Sequence, residues 1–210
     1  MKRLVVALVV LGGLLAGTDV VAEGMAEREL EARLASEIPG ATGVSATISS
    51  FPFLGRLLTS GRVAEVDAQA RGVRVEGLDF DVVAVDLDGV TLDRRILWDD
   101  QRVAVTDIDA GRVRAEVTQA ALSERLGVDV RLESGRVSVT VAGRRVSAEL
   151  AVRNGRLVVG AAGIDLPALD VVAPLLPCVA DAEIVPGRVL LTCDFTEVPE
   201  ELRQAVSRDL

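Results

Sequence analysis

The chain has 210 residues, which is enough for one large domain or two small ones. Its formal net charge of -9 argues against a nucleic-acid partner, because nucleic-acid binders carry concentrated positive surface. The sequence contains no histidine, and this excludes Ser-His-Asp and Cys-His mechanisms together with histidine-based zinc sites.

Residues 1–22 have the pattern of a targeting segment. Lys2 and Arg3 precede an apolar run from Leu4 to Gly17, and small residues end the stretch at residue 22. This pattern predicts a secretory signal peptide, because a helix that spans a bilayer needs about 20 apolar residues. An uncleaved N-terminal membrane anchor stays open, since apolar residues continue beyond Asp19. Both interpretations predict an exported protein, in the periplasmic space or on the outer face of the cytoplasmic membrane.

The segment after residue 22 is predicted to form an amphipathic helix. Apolar residues recur at every fourth position from Ala26 to Ile38, with charged residues between them. Pro39 and Gly40 follow directly, and this pair is typical of the end of a helix.

The middle and the end of the chain read as a series of antiparallel strands. Apolar and polar residues alternate in many short segments from Val44 to Phe195, which predicts strands with one buried face. The alternation changes parity between Val82 and Val83, and twice between Val103 and Val117, which predicts bulges. Long bulged strands favour a strongly curved sheet. Turn signals separate the strands, namely "ESGR", "VAGRR", "RNGR" and "VPGR".

Two further helices are predicted among the strands. Thr118 and Gly127 have the residue types of an N-cap and a C-cap around the first. The second, Ile164–Ala180, starts with Asp165 and is almost without charge. A short helix or frayed tail closes the chain. Because no low-complexity linker interrupts this pattern, residues 23–210 are predicted to form a single domain.

The remaining candidate motifs give no support for an enzyme. Cys178 and Cys193 are predicted to form a disulfide in an exported protein, with two buried free thiols as the alternative. The acidic segments "DLDG" and "TDIDAG" lack the third ligand and the distal glutamate of a calcium loop, so we interpret them as solvated strand faces. No phosphate loop, nucleophile elbow or dinucleotide motif is present. We therefore predict no catalytic residue, no metal and no cofactor.

Four segments carry a resemblance to a known family. They are "AERELEARLAS", "SSFPFLGRLLTSGRVAEVDA", "VEGLDFDVVAVDLDGVTLD" and "AEVTQAALSERLG", of which the second is the most specific. Over nearly its whole length the chain resembles the actinobacterial LmeA-like family of exported phospholipid-binding proteins. The resemblance implies an α+β fold like that of tubular lipid-binding proteins, with a long N-terminal helix packed in a strongly curved, mostly antiparallel β-sheet. In mycobacteria a member supports maturation of membrane mannan glycolipids without being a glycosyltransferase itself.

The predicted function is to hold a phospholipid or a lipid-linked glycan precursor in an apolar cavity at the membrane surface. Such a protein would support maturation of cell-envelope glycolipids, with an envelope glycosyltransferase as a possible client. Arg56 and Arg62 are predicted to contact the head group. The predicted lipid-binding side chains are apolar and lie in two segments: Phe51, Phe53, Leu54, Leu57, Leu58, Leu169, Val172, Leu175 and Leu176.

Two alternatives remain open. Phe51 and Phe53 could fold back and close one end of the sheet instead of touching a membrane. The chain could also be a non-lipid structural or regulatory partner of an envelope glycosyltransferase, because composition does not decide whether helices fill the interior completely.

Overall fold

The computed structural model describes residues 21–36, 38, 40–99, 104–161, 166–170, 176 and 178–198. The helices within these ranges are α1 (21–36), α2 (Phe53–Ser60), α3 (Arg94–Asp99) and α4 (Gln119–Leu126). The first strands are β1 (Gly43–Ser49), β2 (Arg62–Val75), β3 (Leu78–Leu92), β4 (Val105–Asp107) and β5 (Ala110–Thr118). The later strands are β6 (Asp129–Glu133), β7 (Arg136–Val141), β8 (Arg144–Arg153), β9 (Arg156–Ala161), β10 (Asp181–Val185) and β11 (Arg188–Phe195).

The strands form two antiparallel sheets. The larger has seven strands in the order β1-β2-β3-β5-β11-β10, with β4 paired to the end of β3. The smaller has four strands in the order β6-β7-β8-β9. All the strand pairings are antiparallel, and helices accompany the sheets, so the predicted α+β class is confirmed.

The finer architecture differs from the prediction. The larger sheet is neither closed nor strongly curled, and the N-terminal helix is short. The four strands β6 to β9 follow one another through tight turns, so they complete a sheet of their own instead of extending the first. Helix α1 lies along the edge of β1, because its glutamate side chains bond to that edge and cannot be buried inside a curved sheet.

The hairpin turns were predicted correctly. Ala142 and Gly143 connect β7 to β8 with φ angles of 49° and 75°. Asn154 and Gly155 connect β8 to β9 with φ angles of 51° and 70°. Two consecutive positive φ angles are the signature of the type I′ turn, whose twist matches that of the flanking strands.

One predicted bulge is confirmed and the other two are not. The register between β3 and β5 shifts between Phe80 and Val82, which lets Phe80 and Val83 both contact the same core. In the segment that follows α3, however, β4 ends at Asp107 and β5 begins at Ala110. The first of the two changes therefore marks the place where two separate strands meet. The second is absent, because the inward residues of β5 alternate without a break from Gly111 to Val117 and Ala110 lies on the opposite face.

Two apolar cores lie at opposite ends of the long strands. The main core fills the space between the two sheets and α4, and its fully buried side chains include Leu78, Phe80 and Leu122. The second, smaller core lies where α2 meets the beginning of β2. Its buried members are Ile48, Phe53, Val63, Val90, Ile108 and Val198.

Helix α4 follows its prediction closely. The Thr118 side chain accepts a hydrogen bond from the backbone N–H of Ala121 at 3.2 Å, and Gly127 ends the helix with a φ of 67°.

The predicted helix at 164–180 is wrong at residues 166–170. Leu157 and Leu169 exchange two backbone hydrogen bonds of 3.0 and 2.9 Å, so this segment runs extended beside β9. The outer edge of β9 offers free backbone groups that an extended neighbour can satisfy. Other predictions lie outside the described residues: residues 1–20 of the targeting segment, Val103, residues 162–165 and 171–175, and the tail 199–210. Residues 21 and 22, predicted as the end of the targeting segment, begin α1.

Candidate functional site

Helix α2 divides the apolar segment before β2 into a buried side and an exposed side. Phe53 is only 6% exposed and belongs to the second core, and Leu54 and Leu57 pack against that core. Phe51 is 71% exposed, and Leu58 is also exposed. The two phenylalanines therefore have different roles, since one closes the end of the sheet and the other lies on the surface.

Helix α1 is fastened to the free edge of β1. Because β1 is the first strand of its sheet, alternate backbone N–H groups point away from β2. Four helical residues rise about 6 Å and two strand residues about 6.6–6.8 Å, so side chains four apart can reach alternate strand positions. The three side chains that do so, here called the glutamate clip, are Glu23, Glu27 and Glu31. Their carboxylates accept bonds from Ser50, Ile48 and Ala46 at 3.1, 2.8 and 3.0 Å, respectively.

The first turn of α1 places two more exposed apolar side chains at the same end of the molecule. Val21 and Met25 are each more than half exposed. The first bond of the glutamate clip holds this turn beside the end of β1, directly before Phe51. Leu58 lies on the helix that starts two residues after Phe51. We call Val21, Met25, Phe51 and Leu58 the apolar tip.

The two predicted head-group arginines differ in their surroundings. Arg62 forms an ion pair with Asp109, so its charge is already matched. Arg56 lies on the exposed side of α2, and within the described part of the chain it makes no ion pair. Arg94 donates a hydrogen bond of 2.7 Å to the backbone carbonyl of Thr59, which lies in the last turn of α2. Of these three arginines, Arg56 is the one whose guanidinium is available to an anionic group near the apolar tip.

Half-buried aliphatic side chains connect the two cores, since Val85 packs against the main core and Leu87 against the second. On β2 and β3, which are both flanked by other strands, Ala68, Val85 and Leu87 are only partly covered. Leu30 and Leu34 are also half-buried, on the stripe of α1 that continues from Ala22 and Ala26, which pack against the second core. Within the described residues, Leu30 and Leu34 contact neither core. We call Leu30, Leu34, Ala68, Val85 and Leu87 the apolar trough.

The predicted lipid-binding residues near the C-terminus have a different location. Leu169 and Leu176 are buried in the main core. Val172 and Leu175 lie outside the described residues. Contact of this segment with lipid stays a prediction.

The predicted disulfide is confirmed. Cys178 and Cys193 are joined, with their Cα atoms 5.8 Å apart. Cys193 lies on β11 and is buried in the main core, so the bond attaches the segment before β10 to the second strand from one edge of the larger sheet.

A cleft of about 660 Å³ opens at the other end of β2, far along the strand from the apolar tip. Its walls include Gly72, Phe80, Asp81 and a charged pair in which Arg74 donates two hydrogen bonds to Asp79. These hydrogen bonds lower the pKa of Asp79 and raise that of Arg74. The cleft therefore lies at the opposite end of β2 from the apolar cavity that was predicted beside Phe51.

The outer face of the larger sheet is charged. Asp67 is directly opposite Asp86 across β2 and β3, and partial burial, followed by the charges of Glu65 and Asp86, raises the pKa of Asp67. Asp86 also accepts a hydrogen bond from Arg114 at 2.7 Å. The residues that the structure describes contain no group of three or more acidic or cysteine side chains arranged to hold a metal ion.

The comparison with known families identifies the ligand class. Residues 17–208 match the family described as LmeA-like phospholipid-binding. The chain belongs to this family. No curated protein and no solved structure matches the chain. Family membership indicates phospholipid binding. None of the helices in the described ranges is long and apolar enough to cross a bilayer.

Sequence reasoning missed two parts of this site. Val21 was included in the predicted targeting segment and Met25 was given no role, because the exposure of both side chains depends on how α1 packs. The spacing of Glu23, Glu27 and Glu31 is visible in the sequence. Its function could not be read there, since glutamates at this spacing also occur on ordinary solvated helix faces.

Proposed function

We propose that this protein docks on a membrane through the apolar tip and holds one phospholipid or lipid-linked precursor with an acyl chain along the apolar trough. The observation that carries the proposal is the exposure of Phe51, 71%, together with the exposed Met25 and Leu58 at the same end, which Val21 joins if the N-terminal segment is retained as an anchor. Exposed apolar groups that lie together mark sites of contact with membranes or other apolar partners. Membership in a phospholipid-binding family favours the membrane.

The position of the N-terminal segment supports this orientation. The apolar run of the predicted targeting segment ends at Gly17, four residues before Val21 of the apolar tip. Four residues span at most about 14 Å. If the segment acts as an anchor, the membrane is therefore close to the apolar tip, at the opposite end of β2 from the cleft.

The dimensions of the apolar trough suit an acyl chain. The half-buried inward positions of β3 extend from Val83 to Leu87, which is about 13 Å along a strand. The hydrocarbon of one leaflet is about 15 Å thick, half of the full bilayer core. An acyl chain that leaves the leaflet near the apolar tip would thus find apolar contacts over a comparable length.

Export, a role in cell-envelope glycolipid maturation and the absence of catalysis are parts of the same proposal. Export rests on the predicted targeting segment. The other two parts rest on the resemblance to the family, and an envelope glycosyltransferase would be the client enzyme. The competing function is that of a non-lipid structural or regulatory partner of such an enzyme, with a closed interior. The two functions differ in whether the purified protein carries lipid.

Native mass spectrometry of gently purified full-length protein tests the proposal. We expect a bound mass in the range of a phospholipid or lipid-linked precursor. Ala68→Leu should reduce the bound fraction, because the added side chain fills the apolar trough. Ala161→Leu is the matched control, since it enlarges a half-buried alanine in the other sheet. A protein that is folded but free of lipid, or equal loss of lipid in both variants, would refute the proposal and favour the non-lipid partner.

A further inference from the structure

We propose that α1 is a releasable cover of the apolar trough, held closed by the glutamate clip and opened from the end that carries the apolar tip. This inference rests on the proposed function and specifies how lipid reaches the trough. The glutamate clip holds α1 along the edge of β1, with Leu30 and Leu34 half-buried beside the inward face of the sheet, so moving α1 away from β1 would uncover that face along the strand edge.

Helix α4 is attached to the edge of β6 by similar side-chain bonds, and it is an example of a permanent attachment. Gln119 and Ser123 of α4 accept hydrogen bonds from the backbone N–H groups of Leu132 and Val130 on β6, at 2.9 and 3.0 Å. This is the same spacing on another edge strand. Helix α4, however, also inserts Leu122 into the main core, with no exposure at all.

Helix α1 has no such attachment. None of its residues 21–36 is buried, and its inward side chains are half-covered alanines and leucines. The three clip bonds therefore carry a much larger share of the binding of α1 than the corresponding bonds carry for α4. An ionised carboxylate and a backbone N–H are both well hydrated in water, so these bonds can break without leaving an unsatisfied group.

The direction of opening follows from the two ends of α1. Ile38, just after the helix, packs against the main core, and Gly40 follows with a φ of 89°. At the other end Val21 and Met25 are exposed, and Ala22 and Ala26 contact only the edge of the second core. Membrane contact of the apolar tip would act on this weaker end, so the bond between Glu23 and Ser50 would break first.

Hydrogen exchange on the wild-type full-length chain tests the opening. Amides of Ser50, Ile48 and Ala46 should exchange at least about tenfold faster with phospholipid vesicles than without, since one hydrogen bond of typical strength corresponds to about that factor. The amides of Val130 and Leu132, which donate to Ser123 and Gln119 of α4, are the internal control, and their exchange rates should not change. If the protein binds vesicles while the β1 amides keep their slow exchange, the cover is refuted although the proposed function stands.

A second measurement follows uptake of a fluorescent phospholipid from donor vesicles. The variant with Glu23→Ala, Glu27→Ala and Glu31→Ala should load several-fold faster and reach the same final occupancy. The corresponding glutamine variant keeps an acceptor oxygen at each position and should load nearly as slowly as the wild type. If the alanine variant does not fold, Glu23→Ala alone tests the first bond.

The outcomes separate the two proposals. Unchanged loading in a variant whose β1 amides have become exposed would refute α1 as a cover. No loading in the wild type or in any variant would refute the proposed function itself, and the cover with it.

Discussion

Replacing Phe51 by serine separates membrane contact from stability better than any other single change at the apolar tip. Phe51 is 71% exposed, so folding gains little from its side chain, and we expect the melting temperature to change by no more than a degree or two. Phe53 is two residues away but only 6% exposed. Phe53→Ser should therefore destabilise the fold by roughly 3–5 kcal/mol, the usual cost of truncating a buried phenylalanine.

The expected loss of membrane binding follows from the same exposure. Fully burying a phenylalanine side chain is worth about 1.5–3 kcal/mol. Because most of the Phe51 surface is still in water, insertion into a bilayer could gain about 1–2 kcal/mol, which corresponds to a roughly 5- to 30-fold change in the partition constant. Phe51→Ser should lower binding to phospholipid vesicles by that factor.

The assay is co-sedimentation with vesicles at several lipid concentrations, combined with thermal unfolding of the same preparations. Val179→Ser is the matched control, since Val179 is 94% exposed but does not belong to the apolar tip. Equal loss of vesicle binding in the Val179 variant would mean that any exposed apolar group contributes. Unchanged vesicle binding of the folded Phe51 variant would refute the assignment of the apolar tip to the membrane.

Three further predictions concern charge, pH and the disulfide. Arg56→Gln should weaken binding to anionic vesicles about fivefold at low salt, as expected for one cation near such a surface, whereas Arg62→Gln should have little effect because that arginine is already paired. Asp67→Asn should raise the melting temperature at neutral pH. Burial and neighbouring carboxylates raise the pKa of Asp67 in the fold, so its ionisation lowers stability as the pH rises from about 3.8 through the folded pKa, and the difference between the proteins should vanish in acid. A stabilising effect that persists unchanged below pH 3 would contradict this cause. Thiol labelling of unfolded, unreduced protein should find no free Cys178 or Cys193, and reduction should cost roughly 3 kcal/mol for a loop with a sequence separation of 15. Two labelled thiols per chain would refute the bond.

The parts of the fold that the sequence predicted depend on local chemistry. The turn at Asn154 and Gly155 needs residues that tolerate positive φ, and such residues are recognisable in isolation. The same is true of Thr118 and Gly127 at the two ends of α4. In each case the residues that determine the conformation are within a few positions of one another.

The parts that the sequence did not predict depend on contacts between distant segments. Residues 166–170 have a single charge, at Asp170, and were predicted as helix, but the free edge of β9 binds Leu169 in an extended conformation. Helix α3 was missed because its six residues are too few for a periodic pattern. Its start depends on Asp93, whose carboxylate accepts a hydrogen bond from the N–H of Arg95 at 2.8 Å.

The candidate site shows the same limit. The segment around Phe51 was recognised because aromatic residues are only 2% of the chain. Composition could not separate Phe51 from Phe53, since the direction of each side chain is set by how α2 packs on β2. The sequence predicted an apolar cavity but not the residues of the apolar trough, because half-burial of Ala68 or Leu34 is decided by neighbours from other elements.

The position of β11 has a consequence for how the chain is made. This strand lies between β5 and β10, so the edge of β5 stays unpaired until β11 has been synthesised about 70 residues later. At about 5–20 residues per second that delay lasts roughly 4–14 s. The strands β6 to β9 need no distant partner and can form their own sheet during this time. The nascent protein therefore carries an open strand edge for seconds, which makes the interval before β11 emerges the period when a binding chaperone would be most useful.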